Sequence, residues 1–600
     1  ALMQHMPIIV VLRMLSFYFF GLYRRMWRYA TITDLLSITY AVTFGSFLII
    51  SYFQILNLNW PSIIYFISWF LCVAFIGASR LAIRVWHYYK YPRKNNSSYE
   101  NVLIIGAGDA GAIIARELQQ RYYATKKLVG FIDDAPEKRK QMMFGCKVLG
   151  TCADIKEVVT AENVREIIIA MPSVKGSIIK NIVRNCKSTD CKVKIAPGLY
   201  ELIDGKVSIQ QLRDVDVTDL LRRAPVRLNL KEISGYLTGK CVLVTGAGGS
   251  IGSELCRQIA RLSPQKLILV GKGENSIYDI DLELRETFPN LIIEPVIADV
   301  RDRKRISSVF KNFRPNVVFH AAAHKHVPLM EYQPEEAVRN NIFGTKIVAE
   351  TADKFNVDIF VMISTDKAVN PANVMGATKR IAELVIQDIN KNSNTKFVAV
   401  RFGNVLGSRG SVIPLFKRQI ARGGPLTITH PDIQRYFMTI PEATQLVLQA
   451  ASLAKGGEVF VLDMGEPIKI VDMAYELIEL SGLVPEQDIK INFVGLRPGE
   501  KIFEELLTAE EGTCATKHEQ IFVANITPLE KILLKDFLLA LDQEKDGRVL
   551  VSIMEKLLPT YKEMKRQQAV IANKLVDIKS HSRSNVQKYV LAEGATSTLK

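Results

Sequence analysis

The sequence predicts an α/β protein with N-terminal transmembrane helices followed by two doubly wound, parallel-sheet domains in tandem. Three observations carry this. Leu35 to Ser79 contain no charged residue, and a strand, glycine turn and helix pattern opens twice, at Gly106 and at Gly246. The chain has 600 residues, more than one hydrophobic core ordinarily serves.

Leu35–Ser79 is long enough for two spans of ~20 residues each, with "NLNWP" (Asn57–Pro61) as the turn between them. Arg24, Arg25 and Arg28 precede the run; Arg80, Arg84, Lys90, Arg93 and Lys94 follow it. The positive-inside rule puts both flanks in the cytoplasm and the short loop outside, with Trp60 and Trp69 at or near the interface. Pro7–Tyr23 is a third apolar segment, interrupted by Arg13 and directed inward to the arginine cluster. Its outward start leads us to expect a further helix upstream of Ala1. No small-residue cleavage site precedes the cluster, so a signal peptide is not expected. Residues 1–95 are read as the membrane part of a multi-pass protein whose remaining domains face the cytoplasm.

A polar linker, "YPRKNNSSYE" (91–100), leads into "NVLIIGAGDAGAIIARELQ". An apolar strand, Gly106-x-Gly108-x-x-Gly111 and a helix follow one another. "LVGFIDD" then ends a second strand on Asp133 and Asp134, about where an acid meets a ribose. "REIIIAMP" and "CKVKIAPG" read as further strands. Residues 96–225 form a small Rossmann-like domain. It shows no acid–base constellation, so we read it as a scaffold or regulatory fold, with a bound dinucleotide as the alternative.

The second domain, residues 226–545, opens at "GKCVLVTGAGGSIGSELCRQIA". Gly246, Gly249 and Gly252 make the tight turn, and a helix starting near Ser250 offers free N–H groups to a pyrophosphate. After the next strand, "KLILV", the position that usually holds an acid for the ribose of NAD is occupied by Gly271, Lys272 and Gly273. A cation there suits the 2′-phosphate of NADP; a solvent-facing lysine is the alternative. "VIADVRD" puts Asp299 near an adenine edge, and "VVFHAAAHKHVPLME" is a fourth strand running into a site loop. His320, His324 and His326 cluster there without a carboxylate partner motif, so no metal is expected. Residues 546–600 read as an amphipathic, then disordered tail.

Composition narrows the partners. Hydrophobic residues make up 48% of the chain, concentrated in its first hundred residues, and the formal net charge is +16. That charge suits an acidic substrate or an anionic lipid surface. No basic run is interleaved with aromatic residues, so nucleic acid is not expected. Eight scattered cysteines lack the paired spacing of a zinc site, as expected of buried thiols in a reducing cytoplasm.

The motifs "TGAGGSIGSE", "AAAHKHVPLME", "NNIFGT", "STDKAVNPANVMGATKR", "RFGNVLGSRGSVIPLF" and "LRPGEK" occur in this order between Lys240 and about Leu507. They resemble the extended short-chain dehydrogenase/reductase superfamily and, within it, the membrane-bound nucleotide-sugar 4,6-dehydratases of bacterial polysaccharide and capsule synthesis. With the helices and the first Rossmann-like domain, the resemblance spans most of the chain. The superfamily's Ser–Tyr–Lys pattern has Tyr four positions before its Lys. Here Met375 stands four before Lys379, and the larger dehydratases resemble this chain in that respect.

The resemblance implies dehydration of a UDP-N-acetylhexosamine, foremost UDP-N-acetylglucosamine, to the 4-keto-6-deoxy sugar, with tightly bound NAD or NADP regenerated each turnover. Oxidation at C4 acidifies H5, a base removes H5, an acid protonates the departing 6-hydroxyl, and hydride returns to C6. It implies Asp366 as the acid, Lys367 as the base, Thr365 at the C4 oxygen, Met375 as packing and Lys379 at the cofactor ribose. Gly246, Gly249, Ser250, Ile251, Gly252, Lys272, Asp299, Val300, Ala321 and Ala322 fall at its cofactor positions. Lys325, Asn404, Arg409, Arg435, Arg497 and Glu500 fall at substrate positions, where arginines suit a diphosphate. A homo-oligomer is implied as well, and Lys240–Leu507 is expected to carry the chemistry alone. Two alternatives stay open: a nucleotide-sugar epimerase, and a catalytically silent NAD(P)-sensing membrane regulator.

Overall fold

The computed structural model describes residues 2–20, 32–56, 58, 60–90, 99–122, 125–139, 141–198, 209–221, 223, 226, 228–506, 512–524 and 531–567. Arg24, Arg25, Arg28, Asn57, the 91–98 part of the linker with Arg93 and Lys94, and the end of the C-terminal tail lie outside them. The N-terminal helices form one unit; both sheets and the C-terminal helices form another.

In the first unit the helices are Leu2–Phe19, Ile32–Ile55 and Ser62–Lys90. Leu36–Ile55 and Ser62–Ser79 are long and apolar enough to cross a membrane, judged by length and composition. Arg13 does not break the first helix. Its guanidinium donates to Val42 O at 3.1 Å and to the hydroxyls of Ser46 and Ser68 at 3.0 and 3.4 Å. Gly45 leaves the room: a Cβ there would lie 3.3 Å from Arg13 Cδ. Trp69 donates Nε1 to Thr43 Oγ1 at 2.9 Å.

The second unit holds two doubly wound sheets. The first runs Met142–Met143, Cys146–Gly150, Lys126–Ile132, Glu100–Ile105, Glu166–Ile169, Lys192–Ile195 and Arg213–Asp214 in spatial order, parallel except at its edge strands. The second runs Ile292–Ile297, Lys266–Gly271, Cys241–Thr245, Val317–His320, Ile359–Ile363, Lys396–Arg401, Val459–Leu462, Ile521–Ala524 and Thr513–Ala515, with the last two antiparallel. Its strands are buried on both faces. Val242 and Val244 pack with Leu255 and Ile259 of the helix Ser250–Ala260 on one side. Leu243 packs with Phe310 and Val348 on the other, as the two-residue strand period requires.

The chain winds outward from Cys241–Thr245 to Ile292–Ile297, then returns to Val317–His320 and winds the other way. A crevice therefore opens at the carboxyl ends of Cys241–Thr245 and Val317–His320, where ligands of such sheets bind. A smaller lobe covers it. There the helices Val412–Ala421 and Ile470–Leu480 and the paired strands Leu426–Ile428 and Ile491–Phe493 share a core with Phe416, Met473 and Leu477. The two sheets are joined by contacts. Lys180 pairs with Glu476, Arg223 Nη1 donates to Asp463 O at 2.7 Å, and Leu480 packs on the core of the first sheet.

The C-terminal segment differs from the sequence reading in its first part. Lys531–Gln543 and Gly547–Leu557 are helices, the second capped by Asp546, and residues 559–567 are helical as well. Leu534, Leu538, Leu550, Met554 and Tyr561 share one core with Met375, Ala377 and Ile381 of the helix Val374–Asn390. The amphipathic stretch after Asp546 is thus a wall of the second domain, and Lys240–Leu507 by itself lacks that wall. We expect Leu550→Ala and Met554→Ala each to cost about 2–5 kcal/mol in denaturant unfolding. A chain ended at Lys545 should melt lower still; unchanged melting of all three would refute this packing.

Candidate active site

The cradle at the switch point is built by glycine. Gly246 has φ +66°, and a Cβ on it would lie 2.8 Å from the Ala321 backbone. A Cβ on Gly252 would lie 2.1 Å from Gly246 O. Gly249 caps the helix Ser250–Ala260 without a side-chain hydrogen bond, leaving the N–H groups of its first turn to a ligand.

A cavity of about 660 Å³ begins at this helix end. Gly249, Ser250, Ile251, Gly252 and Ala321 line one side of it. Thr365, Lys367, Met375 and Lys379 line its middle, and Lys325, Asn404, Arg409, Arg435, Arg497 and Glu500 line the lobe side. Gly246, Lys272, Asp299, Val300, Ala322 and Asp366 are not among its lining residues. Val300 is buried, and Ala322 packs on the neighbouring core. Asp299 is gripped by Arg301 Nε and Nη2 at 2.8–3.1 Å and by Lys272 Nζ at 3.1 Å. The Arg301 bond outweighs burial, and with Lys272 it holds the Asp299 carboxyl well below the usual range. Lys272 itself is 70% exposed.

The turn Thr365–Lys367 follows the strand Ile359–Ile363. Asp366 is buried: its Oδ1 accepts from Thr365 Oγ1 at 2.8 Å and from Lys367 Nζ at 2.9 Å, while its Oδ2 has no partner among the described residues. Lys367 Nζ also donates to Asn404 Oδ1 at 3.2 Å. Met375 and Lys379 lie one turn apart on the helix Val374–Asn390, whose first turn Asn373 caps by accepting from Gly376 N at 2.7 Å. Met375 is 4% exposed. Lys379 Nζ donates to Ile363 O at 2.7 Å. Burial lowers this ammonium to about 8, against the attraction of Glu383.

His320 sits between two threonines, Nδ1 at 2.8 Å from Thr245 Oγ1 and Nε2 at 2.9 Å from Thr345 Oγ1. Thr345 spends its hydroxyl proton on Asn341 O at 2.7 Å, so Nε2 must donate and Nδ1 accept. Burial, with Lys379 nearby, pushes the ring down to about 3, so it is a neutral strut. Among the described residues no group of three His, Cys, Asp or Glu is gathered as for a metal ion.

The substrate-side arginines differ in kind. Arg435 donates to the carbonyls of Gln434, Lys501 and Ile502 at 2.7–3.0 Å and so staples the loop after Arg497. Arg409 and Arg497 are exposed, and their guanidinium groups form no ion pair with a described residue. Lys325 Nζ lies 3.4 Å from Ser408 Oγ.

Sequence reasoning missed three supports. Asn341, inside a π-helical segment Val338–Gly344, accepts from His324 N at 2.8 Å and donates to His324 O at 3.1 Å, pinning the site loop. Its motif "NNIFGT" was visible without a role. Glu383 and Arg401 form a buried bidentate pair at 2.7–2.8 Å; an acid on a helix and a cation at a strand end gave no signal of meeting. Glu504, buried near Asp366 and Lys367, looked like one acid among several.

Cradle, switch-point crevice and turn define a Rossmann-like α/β protein of the short-chain dehydrogenase/reductase type. Residues 242–526 match the family model described as polysaccharide biosynthesis protein, and residues 18–197 match one described as CoA-binding domain. The chain is 51% identical over 509 residues to the capsular polysaccharide biosynthesis protein CapD of Staphylococcus aureus, covering 84% of each. It is 33% identical over 313 residues to an inverting UDP-N-acetylglucosamine 4,6-dehydratase of Campylobacter jejuni, covering 51% of this chain and 86% of that one. Among solved structures, Pen from Bacillus thuringiensis is 37% identical with a TM-score of 0.45, covering 49% of this chain and 89% of that one. The chain belongs to the polysaccharide biosynthesis protein family.

The Glu383 carboxyl yields a pH prediction. Burial would raise it, but Arg401, Arg380 and the Ser364 hydroxyl outweigh burial and hold it at about 2. A depressed carboxyl stabilises the fold above its unfolded value of 4.5 and loses that contribution as pH falls towards 2. Glu383→Gln should cost about 3–5 kcal/mol at neutral pH by removing the carboxylate that neutralises the buried Arg401. Its melting temperature should also depend less on pH between 4.5 and 2 than that of the wild type.

Proposed function

We propose that the protein is an NAD(P)-dependent nucleotide-sugar 4,6-dehydratase that acts on a UDP-N-acetylhexosamine, foremost UDP-N-acetylglucosamine, for surface polysaccharide synthesis. One observation carries this reading: an acid and an amine, Asp366 and Lys367, share one turn, with Lys367 and an inert Met375 lining the switch-point cavity and Asp366 buried behind Lys367. An epimerase returns hydride to C4 and has no use for an acid–base pair at C5 and C6. A silent sensor has no use for the pair at all.

The residues present fit a dinucleotide. Gly246, Gly249 and Gly252 leave backbone room for a pyrophosphate, Ser250 and Ile251 open the helix that faces it, and Lys379 stands beside the ribose position. Bound there, the nicotinamide supplies hydride acceptance from C4 and hydride return to C6. The exposed Arg409 and Arg497 suit the two phosphates of a UDP-sugar. Thr365 Oγ1 holds the C4 oxygen. Lys367, as the free amine, takes H5 once C4 is a ketone and gives a proton back to C5 when hydride reaches C6. Asp366 gives its proton to the departing 6-hydroxyl, which leaves as water, and the proton lost from the C4 hydroxyl on oxidation replaces it. Met375 excludes water from the position above Lys379 and moves no proton. The apolar helices and the basic residues flanking them support attachment to a cell membrane with the catalytic part in the cytoplasm.

Wild-type protein incubated with UDP-N-acetylglucosamine should yield a product lighter by one water in mass spectrometry; an unchanged sugar would overturn the reading. Met375→Leu should keep substantial activity, since volume and polarity barely change. Asp366→Asn should stall elimination, and Lys367→Ala should abolish exchange of H5 with deuterated water, each losing about 10²–10⁴ in rate. The reverse ranking would mean that the chemistry runs elsewhere.

Cofactor choice follows from Lys272, whose exposed ammonium suits a 2′-phosphate once it turns from Asp299. Nucleotide released from denatured protein should include NADP; NAD alone would mean that Lys272 serves only Asp299.

A further inference from the structure

The loop that carries Arg497 closes its backbone on itself. Arg497 N donates to Glu500 Oε2 at 3.2 Å, and Glu500 N donates to Arg497 O at 3.0 Å. The Arg497 side chain is left exposed along the cavity. A turn held only by its own bonds does not fix where that guanidinium stands relative to the reacting groups. Its neighbours must do so.

The neighbour is the segment 370–374, which lies between the turn Thr365–Lys367 and Met375 in the chain. Lys501 Nζ donates to Asn370 O at 2.7 Å, and Asn373 Nδ2 donates to Gly499 O at 3.0 Å. Gly499 has φ +75°, and a Cβ on it would lie 2.7 Å from Asn373 Cβ and 3.2 Å from Glu331 Oε1. Glycine alone permits this approach without strain. Glu331, in the helix Val327–Tyr332, accepts from Val374 N at 2.6 Å and so holds the same segment.

Asn373 is 2% exposed and serves both directions. Its Oδ1 accepts from Gly376 N at 2.7 Å, which caps the helix Val374–Asn390 and turns the amide so that Nδ2 meets Gly499 O. Gly376 in turn abuts the turn Thr365–Lys367, for a Cβ on it would lie 2.1 Å from Lys367 O. One side chain therefore bonds the Arg497 loop and also the residue pressed against Lys367.

We propose that Asn373 is a positioning residue that sets Arg497 for the substrate diphosphate and keeps that grip in register with Thr365–Lys367. The proposal rests on the reading that a UDP-sugar occupies this cavity. Asn373 is not a lining residue of the cavity and acts through the Gly499 carbonyl. With that bond made, the loop is ordered before the substrate arrives, and binding does not have to order it.

The test separates the two tasks of Asn373. Asn373→Ser keeps an oxygen that caps the helix and removes the amide N–H that reaches Gly499 O. The full chain is titrated with UDP and with uridine, and KM is measured with UDP-N-acetylglucosamine. UDP affinity should fall about threefold to tenfold, the worth of one hydrogen bond. KM should rise in parallel, by more than kcat falls. Uridine, which lacks the phosphates, should bind as before. In an Arg497→Ala background the same substitution should have no further effect on UDP. Unchanged UDP affinity, an equal loss for uridine, or a loss that adds in full to that of Arg497→Ala would each overturn the proposal.

If the wild type itself binds no UDP, the functional reading fails, and Asn373 is then judged on the loop. Amide hydrogen exchange across residues 496–502 should quicken in Asn373→Ser and in Asn373→Asp, whose carboxylate caps the helix and cannot donate to Gly499 O. Exchange across the helix Val374–Asn390 should stay as in the wild type. Unchanged exchange in the loop, or a quickening that spreads through the helix, would overturn the positioning role on its own.

Discussion

The buried pair of Arg401 and Glu383 is the contact on which the candidate site depends. Arg401 ends a central strand, and Glu383 lies in the third turn of the helix that carries Met375 and Lys379. The Ser364 hydroxyl donates to Glu383 Oε1 at 2.6 Å, directly before the turn Thr365–Lys367. One carboxylate thus ties strand, helix and turn together. A guanidinium fork meeting a carboxylate along two bonds fixes orientation as well as distance. With charges so deeply buried, the alternatives to this geometry leave an unpaired ion in the core, so the pair supplies specificity of arrangement more than net stability.

Around that anchor the charged groups divide by task. Arg435 and Lys501 give their protons to backbone carbonyls and hold the loop that closes the cavity. Arg409 and Arg497 stay exposed at its mouth, where a cation keeps its charge and meets an anion without prior desolvation. Lys379 is buried among carbonyl and aliphatic neighbours and is bound to Ile363 O. His320 is held neutral between Thr245 and Thr345, and so ties the first and fourth parallel strands to the helix Thr345–Lys354 without adding charge near the cradle.

The helices after Lys531 show how far the supports of a site extend. Leu534, Leu538, Leu550 and Met554 back the face of the helix Val374–Asn390 that turns away from the sheet. The segment of the first sheet meets the smaller lobe through Lys180 and the large sheet through Arg223, rather than supplying cavity-lining groups. Its glycine fingerprint is closed on itself: Asp133 accepts from Ala107 N at 2.8 Å, from Ala135 N at 3.0 Å and from Lys138 Nζ at 2.9 Å. The acid that in a dinucleotide site meets a ribose is here spent on the turn, in keeping with a scaffold reading of that fingerprint.

The sequence by itself determined the class of fold, the glycine cradle and the turn Thr365–Lys367. Each is a local pattern: apolar alternation sets a strand, a glycine at positive φ permits the turn at Gly246, and three consecutive residues cannot help lying together. It likewise carried Met375 and Lys379 on one face, since four residues make about one helical turn. Only the tertiary structure decided which charges meet. Glu383 finds Arg401, Glu504 comes near Asp366, Arg435 turns to backbone carbonyls, and Lys272 turns to Asp299, all across segments distant in the chain. The apolar stripe around Leu550 was legible, but not the wall it becomes, because a stripe specifies that it must be covered and not by what. Long-range pairing is fixed by how sheets and helices pack, and side-chain charge carries no periodicity from which that packing can be read.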